Sequence, residues 1–541
     1  MERSNPTTPE YTPAAARSGD RTLFAILLIA GFLIFGVGLV DCLNFSVDDT
    51  FIPFRYAENL VAGKGLVFNP GERIEGYSDF LWTLLLSLFV KMGFSQRASD
   101  LALLKAAKLA GALFGLGALV VLSWLASRIR GRRPWGGYSG LIGLAVTSTG
   151  AAYSFALWSV SGLETSMCAF FVTIAGAAFF AGLQSHRETG KVSAGIFQWG
   201  GLAFALAALA RPEQIFVWAL TLAGLLLFVP RELRKAVVWS AAPVILIYGI
   251  FLAWRVSYYG QLLPNTVYAK AGGGVVAWIL GFKYAAAGLV ATIGFVALGM
   301  LALPALLRSG TEWAFLGLYC LAHLLFIALS GGDWMPGHRF FVPVMPLLWT
   351  LSIASALSLV VRLSPPVPRA ALAGLLGLLA IGTFFDGRFL IRAQMPVPTG
   401  LHQRTWNAAP KRIELAHELR QMLPPGRTLA IGECGYIPYY CPELRILDVY
   451  GLMDPVISHL PGLQHHKLRA DYFLRRRPDY YLMRYQWGGP ADDGITMLAS
   501  PEFRARYHPI KYFEGLARDS LPGRGEVVRQ TDETFVLYRR D

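Results

Sequence analysis

An adjacent pair of carboxylates, Asp48 and Asp49, heads a polar stretch covering residues 41–82. Further reactive or charged groups recur in short segments between long apolar runs. Arg55 lies in the same stretch, Glu164 in SGLET, and Arg211 and Glu213 in ARPE. Tyr258, Tyr259, Asn265 and Lys270 lie in YYGQLLPNTVYAK, and Asp333, His338 and Arg339 in GGDWMPGHR. A carboxylate can serve as general base toward an acceptor hydroxyl. Cationic side chains beside it can hold a phosphate through charge-assisted hydrogen bonds. Asp48 and Asp49 are therefore the catalytic candidates, and the other residues are candidates for binding a donor or acceptor. Each also has a purely structural reading. Asp48 and Asp49 can cap the helix that follows, since aspartate is a favoured N-cap. ARPE can be a tight turn carrying an i,i+2 charge pair, GGDWMPGHR can be a turn alone, and an isolated Glu164 could be either. No Cys/His cluster has metal-ligand spacing. No cofactor is expected, and the dispersed acids leave a divalent metal open but unsupported.

The elements that must position these groups are membrane helices. The chain has 541 residues, 54% hydrophobic and only 16% charged, whereas soluble domains carry about 25% charge. Apolar runs of 18 or more residues read as spans. The net charge of +14 comes from Arg and Lys in short loops between those runs, which suits the positive-inside rule better than nucleic-acid binding. Residues 1–21 are polar, rich in Pro, Ser and Thr, and expected to form a disordered cytoplasmic tail. The first run, 22–42, is too long for a signal-peptide core and reads as a retained helix. Arg17 and Arg21 before it put the N-terminus on the cytoplasmic side and the 43–100 loop outside. Residues 80–90 are too short to span, and with the amphipathic 54–60 they are expected on the outer interface.

The later runs are 101–127, 138–157, 166–183, 194–210, 215–229, 236–254, 284–307, 313–330, 340–361 and 370–386, with 275–283 interfacial. The total is about eleven spans. Under this assignment RIRGRR, QSHRETGK, PRELRK and RLSPPVPR fall inside, and all the candidate site segments fall outside. The fold class is an all-α polytopic membrane protein (22–386) with a small C-terminal α/β extracytoplasmic domain (387–541). In that domain IELAHELRQML reads as an amphipathic helix, and TLAIGE, RILDVYG, DYYLMRY and TFVLYRR read as strands. GECGYIPYYC is not a nucleotide-binding glycine fingerprint. Its Cys434 and Cys441 can form a disulfide outside the cytoplasm or remain thiols. Cys42, Cys168 and Cys320 lie in or beside apolar runs.

Nucleotide sugars are not expected outside the cytoplasm, and a phosphate is a good leaving group. A carboxylate with cations at the membrane edge therefore suggests glycosyl transfer from a polyprenyl-phosphate sugar. The helical order, the early acidic pair and the segments VDDTFIPFRYAENLVAGKGLVFNPGERIEG, SGLET, ARPE, YYGQLLPNTVYAK and GGDWMPG resemble the GT-C glycosyltransferases. Within that class they are similar to the mycobacterial terminal β-(1→2)-arabinofuranosyltransferase family. The resemblance covers roughly residues 20–345 and does not reach the C-terminal domain.

The resemblance implies a decaprenyl-phosphate arabinofuranose donor and Asp48 as base, with Asp49 and Glu164 positioning acceptor or base. It implies donor binding by Arg211 with Glu213, Lys270, His338 and Arg339, and leaves Tyr258 and Tyr259 to line the sugar or acceptor site. His338 stands where that family has an Arg, with Arg339 beside it. The implied partners are a polyprenyl-phosphate sugar, a glycan or lipid acceptor and the bilayer, with no nucleic acid. The implied location is a bacterial inner membrane, with the C-terminal domain periplasmic. A lipid or sugar transporter would instead need mid-membrane charges and internal repeats. A non-catalytic scaffold would be indifferent to loss of Asp48.

Overall fold

The apolar runs fold as helices because only a helix satisfies its own backbone hydrogen bonds without water. The computed structural model describes residues 13–95, 101–132, 136–293, 303–362, 409–486, 489–490, 492–513 and 534–541. Helices α1 (Pro13–Asp41), α2 (Phe51–Val61), α3 (Phe80–Lys91) and α4 (Ala102–Arg132) open the chain. Helix α1 starts at Pro13, so part of the tail expected to be disordered is helical.

The bundle continues with α5 (Leu144–Ala151), α6 (Tyr153–Ser159), α7 (Thr165–Thr189), α8 (Ala194–Ala210), α9 (Glu213–Phe228), α10 (Arg231–Trp239) and α11 (Ala241–Tyr259). It closes with α12 (Asn265–Lys270), α13 (Gly274–Ile293), α14 (Leu303–Leu307), α15 (Thr311–Leu329) and α16 (Met345–Arg362). By length and composition, five helices among the described residues can cross a bilayer, and a bent pair can make a sixth. Five others are apolar but shorter. The expected total of about eleven is not reached on that measure. The expected span 370–386 and the expected domain boundary at 386/387 lie outside the described residues.

Three expected elements differ. The span at 138–157 is broken by 53° at Ala152, whose backbone is extended. The break lets α5 lie directly on α1: a Cβ at Gly150 would meet the Gly31 carbonyl oxygen at 2.2 Å, the close backbone approach that small residues allow in membranes. PRELRK, expected as a loop, forms the start of α10, and Arg231–Tyr259 reads as one long span. Helix α13 runs through the expected break between an interfacial 275–283 and a span from 284. Helix α7 is the centre of the bundle: 78% of its apolar window is buried, against 22% for α1.

The C-terminal part is an α/β unit. Helix α17 (Ala409–Met422) precedes β1 (Thr428–Ile431), β2 (Arg445–Asp448), β3 (Tyr480–Gln486), β4 (Gly489–Pro490), β5 (Tyr507–Phe513) and β6 (Thr534–Arg540). The strand order is β2-β1-β3-β6-β5, with β4 beside β3. Strand β1 is parallel to β2 and β3, while β6 is antiparallel to β3 and β5. Strands β4 and β5 were not expected. In β5 only the two ends, Tyr507 and Phe513, are buried, with exposed or half-buried positions between them, so the strand carries no period-2 signal. Cys434 and Cys441 are both free and buried, so they form no disulfide.

One face of this sheet has its own core around Phe473, Tyr481 and Phe503. The other face, with α17, shares a continuous core with the membrane helices. At that seam the Phe51 and Tyr436 rings lie 4.1 Å apart, centroid to centroid.

Candidate functional site

Several loops converge on one polar pocket. It is lined by Asp49, Ile52 and Pro53, by residues 76–79, by Leu163 and Glu164, and by Arg211, Thr266, Lys270, Arg339 and Leu452. Its volume is about 70 Å³, well below the roughly 300–1,000 Å³ of sites that engulf a small molecule. It can take a phosphate-sized group at its floor, with the rest of a substrate projecting from the mouth.

Each wall is fixed by its local sequence. Asp48 and Asp49 occupy a single 3-10 turn, and Thr50 is the N-cap of α2. Neither aspartate caps the helix through its side chain, so the capping reading fails. The turn is tied to SGLET, since Thr50 Oγ1 donates to the Ser161 carbonyl at 3.2 Å and Trp82 Nε1 to that of Gly162 at 3.1 Å. Gly162 carries a positive φ of 86°, which reverses the chain just before Glu164.

Arg211 follows α8 in an extended conformation, and Pro212, whose ring fixes φ in the helical range, is the N-cap of α9. The Arg211 guanidinium donates Nη1 to Glu164 at 2.6 Å and Nε to Glu213. The charge pair expected within ARPE therefore forms, and Glu164 joins it. Arg339 donates Nε to Asp333 at 2.7 Å. Both guanidiniums lie over the Phe340 ring, at 5.2 and 5.4 Å. The Phe340 carbonyl is hydrogen-bonded to His323 Nε2 at 2.8 Å. Two arginines thus present free N–H groups to the pocket on a rigid aromatic platform.

Lys270 closes α12. Lys467, from the C-terminal domain, donates to the carbonyls of Tyr268, Ala271 and Ser458 at 2.7–2.8 Å and so secures that helix end. Among the described residues neither the Asp49 nor the Lys270 side chain has a hydrogen bond or ion pair. Burial pushes the Asp49 carboxyl up to about 6, with Lys270 pulling it down and Asp48 pushing it further up. Burial, then the Arg339 charge, lowers the Lys270 ammonium.

Asp48 is oriented differently. Its Oδ2 accepts from the Gly435 amide at 2.7 Å and its Oδ1 from the Tyr436 amide at 2.9 Å. Ser46 and Tyr436 hydroxyls meet at 2.7 Å beside it. The approach is so close that a Cβ on Gly435 would sit 1.8 Å from the Asp48 carbonyl oxygen. Burial raises the Asp48 carboxyl, against the pull of Arg412 and the two amides.

Of the expected site residues, Asp49, Glu164, Arg211, Lys270 and Arg339 come together in the pocket. Asp48, Arg55, Glu213, Tyr258, Tyr259, Asn265, Asp333 and His338 do not line it. Glu213 and Asp333 stand behind the two arginines. Arg55 is a clamp: it donates to the carbonyls of Phe68 at 2.9 Å, Leu444 at 3.0 Å and Pro438. Tyr258 and Tyr259 hold the Leu66 backbone, through its amide at 3.1 Å and its carbonyl at 2.7 Å respectively. Asn265 donates to the Gly451 and Leu452 carbonyls at 2.9 Å. His338, in a left-handed turn at φ 48°, packs 5.2 Å from the Tyr284 ring, and burial lowers its imidazole. Arg339 is therefore the pocket cation of that pair.

Asp79 and Thr266 were missed. Asp79 precedes α3 and is buried beside Glu164, and burial followed by that like charge raises its carboxyl. Its signal was an acid at the start of an interfacial helix. Thr266 lies four residues before Lys270 and so shares its helix face. Leu452 comes from the C-terminal domain and carries no sequence signal. Among the described residues no group of three or more His, Cys, Asp or Glu is arranged to hold a metal.

Residues 401–538 match a family model described as a domain of unknown function (DUF8728). The terminal beta-(1->2)-arabinofuranosyltransferase of Corynebacterium glutamicum is 30% identical over 385 residues, 64% of this chain and 54% of that protein. The protein of the same description from Mycobacterium tuberculosis is 32% identical over 240 residues, 42% of this chain and 35% of its own length. The chain thus spans about half, or less, of the length of the curated relatives it matches. Among solved structures, ArnT from Cupriavidus metallidurans in the apo state superposes with a TM-score of 0.54 at 14% identity, covering 96% of this chain and 98% of that one. The same protein bound to undecaprenyl phosphate gives 0.53 at 13% identity, covering 95% and 97%. At this identity the likeness establishes the fold alone.

Proposed function

We propose that this chain is a membrane glycosyltransferase that moves a sugar from a polyprenyl-phosphate donor to a glycan or lipid acceptor on the outer face of a bacterial inner membrane. The observation that carries the reading is a pocket lined by a carboxylate, Asp49, and an ammonium, Lys270, neither with a side-chain partner among the described residues, together with two anchored guanidiniums. The similarity to arabinofuranosyltransferases supports the class, and arabinofuranose is the first donor sugar to test. Both the outward orientation and the count of about eleven spans belong to this reading. They rest on the basic segments that alternate with the apolar runs.

In the proposed reaction Asp49 accepts the proton of the acceptor hydroxyl. The hydroxyl oxygen attacks the anomeric carbon, the bond from that carbon to the phosphate oxygen breaks, and the polyprenyl phosphate leaves. Lys270, Arg211 and Arg339 take up the charge that develops on the departing phosphate, as preorganised cations do. Asp48, whose two oxygens are already occupied by the Gly435 and Tyr436 amides, is a positioning residue: it fixes the turn that aims Asp49. This reverses the assignment of the base to Asp48 that the resemblance implies. Three protein cations at the leaving phosphate make a metal unnecessary, so transfer should persist in EDTA.

The test is an assay of the purified full chain with a panel of polyprenyl-phosphate sugars, with and without EDTA. Release of polyprenyl phosphate coupled to glycosylated acceptor supports the reading. Folded protein that transfers nothing from any donor sinks it.

A further inference from the structure

We propose that the end of the helix bundle remote from the polar pocket binds an anionic membrane lipid in the opposite leaflet. A second cavity, of about 1110 Å³, lies there between α7, α9, α13, α14, α15 and α16. Its walls are apolar, with Leu307, Leu318 and Leu348 among them, and its polar lining includes His186, Arg187 and Arg308. Glu164 at the head of α7 lines the polar pocket, and Arg187 lies on the last turns of the same helix. The 23 residue steps from 164 to 187 correspond to about 35 Å of helix, against a hydrocarbon core of about 30 Å. The two cavities therefore open toward opposite faces of the membrane, and one headgroup cannot serve both.

The charge at this mouth favours an anion. Arg187 is partly neutralised by Glu312, with Nη2 2.9 Å from its carboxylate, and donates Nη1 to the Ser309 carbonyl at 2.8 Å. Arg308 is exposed and makes no ion pair or side-chain hydrogen bond among the described residues. His186 Nδ1 is buried without a hydrogen-bond partner among the described residues. An empty apolar cavity of this size in contact with lipid would be filled by acyl chain, and a phosphate at its mouth would satisfy Arg308 and the His186 nitrogen together. Arginine suits that role because its planar fork matches phosphate geometry. A zwitterionic headgroup would bring its own cation to the same place and lose most of the gain.

The experiment uses the delipidated full chain in detergent, titrated with phosphatidylglycerol, phosphatidylcholine or inorganic phosphate and read by native mass spectrometry. The expected result is one tightly held phosphatidylglycerol, weaker phosphatidylcholine, and no retained phosphate ion. Arg308→Gln should weaken phosphatidylglycerol about tenfold while leaving phosphatidylcholine unchanged, the effect of removing one charge-assisted contact. Ala314→Phe, which puts a ring into the cavity, should abolish retention of both lipids without altering the melting temperature of the lipid-free chain by more than a few degrees. Equal affinity for the two lipids, retention of free phosphate, no bound lipid, or unchanged retention in Ala314→Phe each overturns the proposal.

Discussion

The seam between the C-terminal domain and the loop after α1 contrasts with the pocket a few ångströms of chain away. At the seam polar side chains are satisfied by backbone groups. Asp48 takes two amides, Arg55 gives to three carbonyls, and Asn69 exchanges hydrogen bonds with both the carbonyl and the amide of Ile446, at 2.8 and 3.0 Å. In the pocket the charges outnumber their partners, and Asp49 and Lys270 have none among the described residues. Buried polar groups are normally hydrogen-bonded within the protein, whereas Asp49 is half-buried and Lys270 is exposed, so a ligand or water can reach both. A satisfied cluster holds structure, and an unsatisfied one is poised for something that is not protein. The difference separates two adjacent aspartates that are chemically identical in the sequence.

The sharpest way to break that contrast is to neutralise each aspartate in turn. Asp49→Asn should lower transfer by about 10²–10⁴-fold, the usual loss on removing a general base, with donor binding and melting temperature retained. Asp48→Asn keeps the size of the side chain but loses charge-assisted bonds to two amides, so it should destabilise the protein by about 1.5–3 kcal/mol and reduce transfer less. If Asp48→Asn is the more damaging to turnover at full stability, the roles are reversed.

Arg55→Ala tests the seam itself. It strips the carbonyls of Pro438 and Leu444 of the donor Arg55 supplies, while Phe68 keeps Asn59 Nδ2 at 3.0 Å, and each buried orphan acceptor costs about 1–3 kcal/mol. The domain should loosen from the membrane part, seen as faster proteolysis within 409–513 and a lower melting temperature. A variant as protease-resistant as the parent would show that Arg55 is not the clamp. Lys270→Gln is the milder counterpart in the pocket. It removes one of the three cations that take up the charge of the departing phosphate while the two arginines remain, and should lower kcat about tenfold, as the loss of a single charge-assisted contact made in the transition state does.

Much of the architecture was legible from composition. The helical membrane part, the α/β tail and most of its strands follow from apolar period and length. The pocket was half legible, because charged residues stranded between apolar runs had to go somewhere common; Glu164, Arg211, Lys270 and Arg339 meet as expected. Illegible was anything set by the docking of the C-terminal domain. Nothing local to Asp48 says that a glycine 387 positions later will present its amide. Arg55 and Asn265 likewise look like ligand-binding groups until the carbonyls that occupy them are seen. Tyr258 and Tyr259 point their hydroxyls at a neighbouring loop, because α11 continues to Tyr259 where the sequence suggested loop.

The smallest effect is the most diagnostic, because it reads the environment of Asp49 without changing a residue. Its carboxyl is raised from 3.8 to about 6 by burial, so the base form is half populated near that pH. Transfer should rise through about pH 6 and level off above it, which at pH 5 leaves roughly a tenth of the plateau rate. The stability contribution of the same group has the opposite sign. Its native form binds the proton more tightly than the unfolded chain does, so its contribution is fully present below the unfolded value of 3.8 and is lost as pH rises through about 6. Removing the neighbouring positive charge in Lys270→Gln should shift the activity midpoint upward, since Lys270 is the largest influence lowering it. Neutralising Asp48, whose charge raises it, should shift the midpoint downward. A midpoint near 4 in the parent, or one that ignores both substitutions, would mean that the titrating base is not the carboxylate in the pocket.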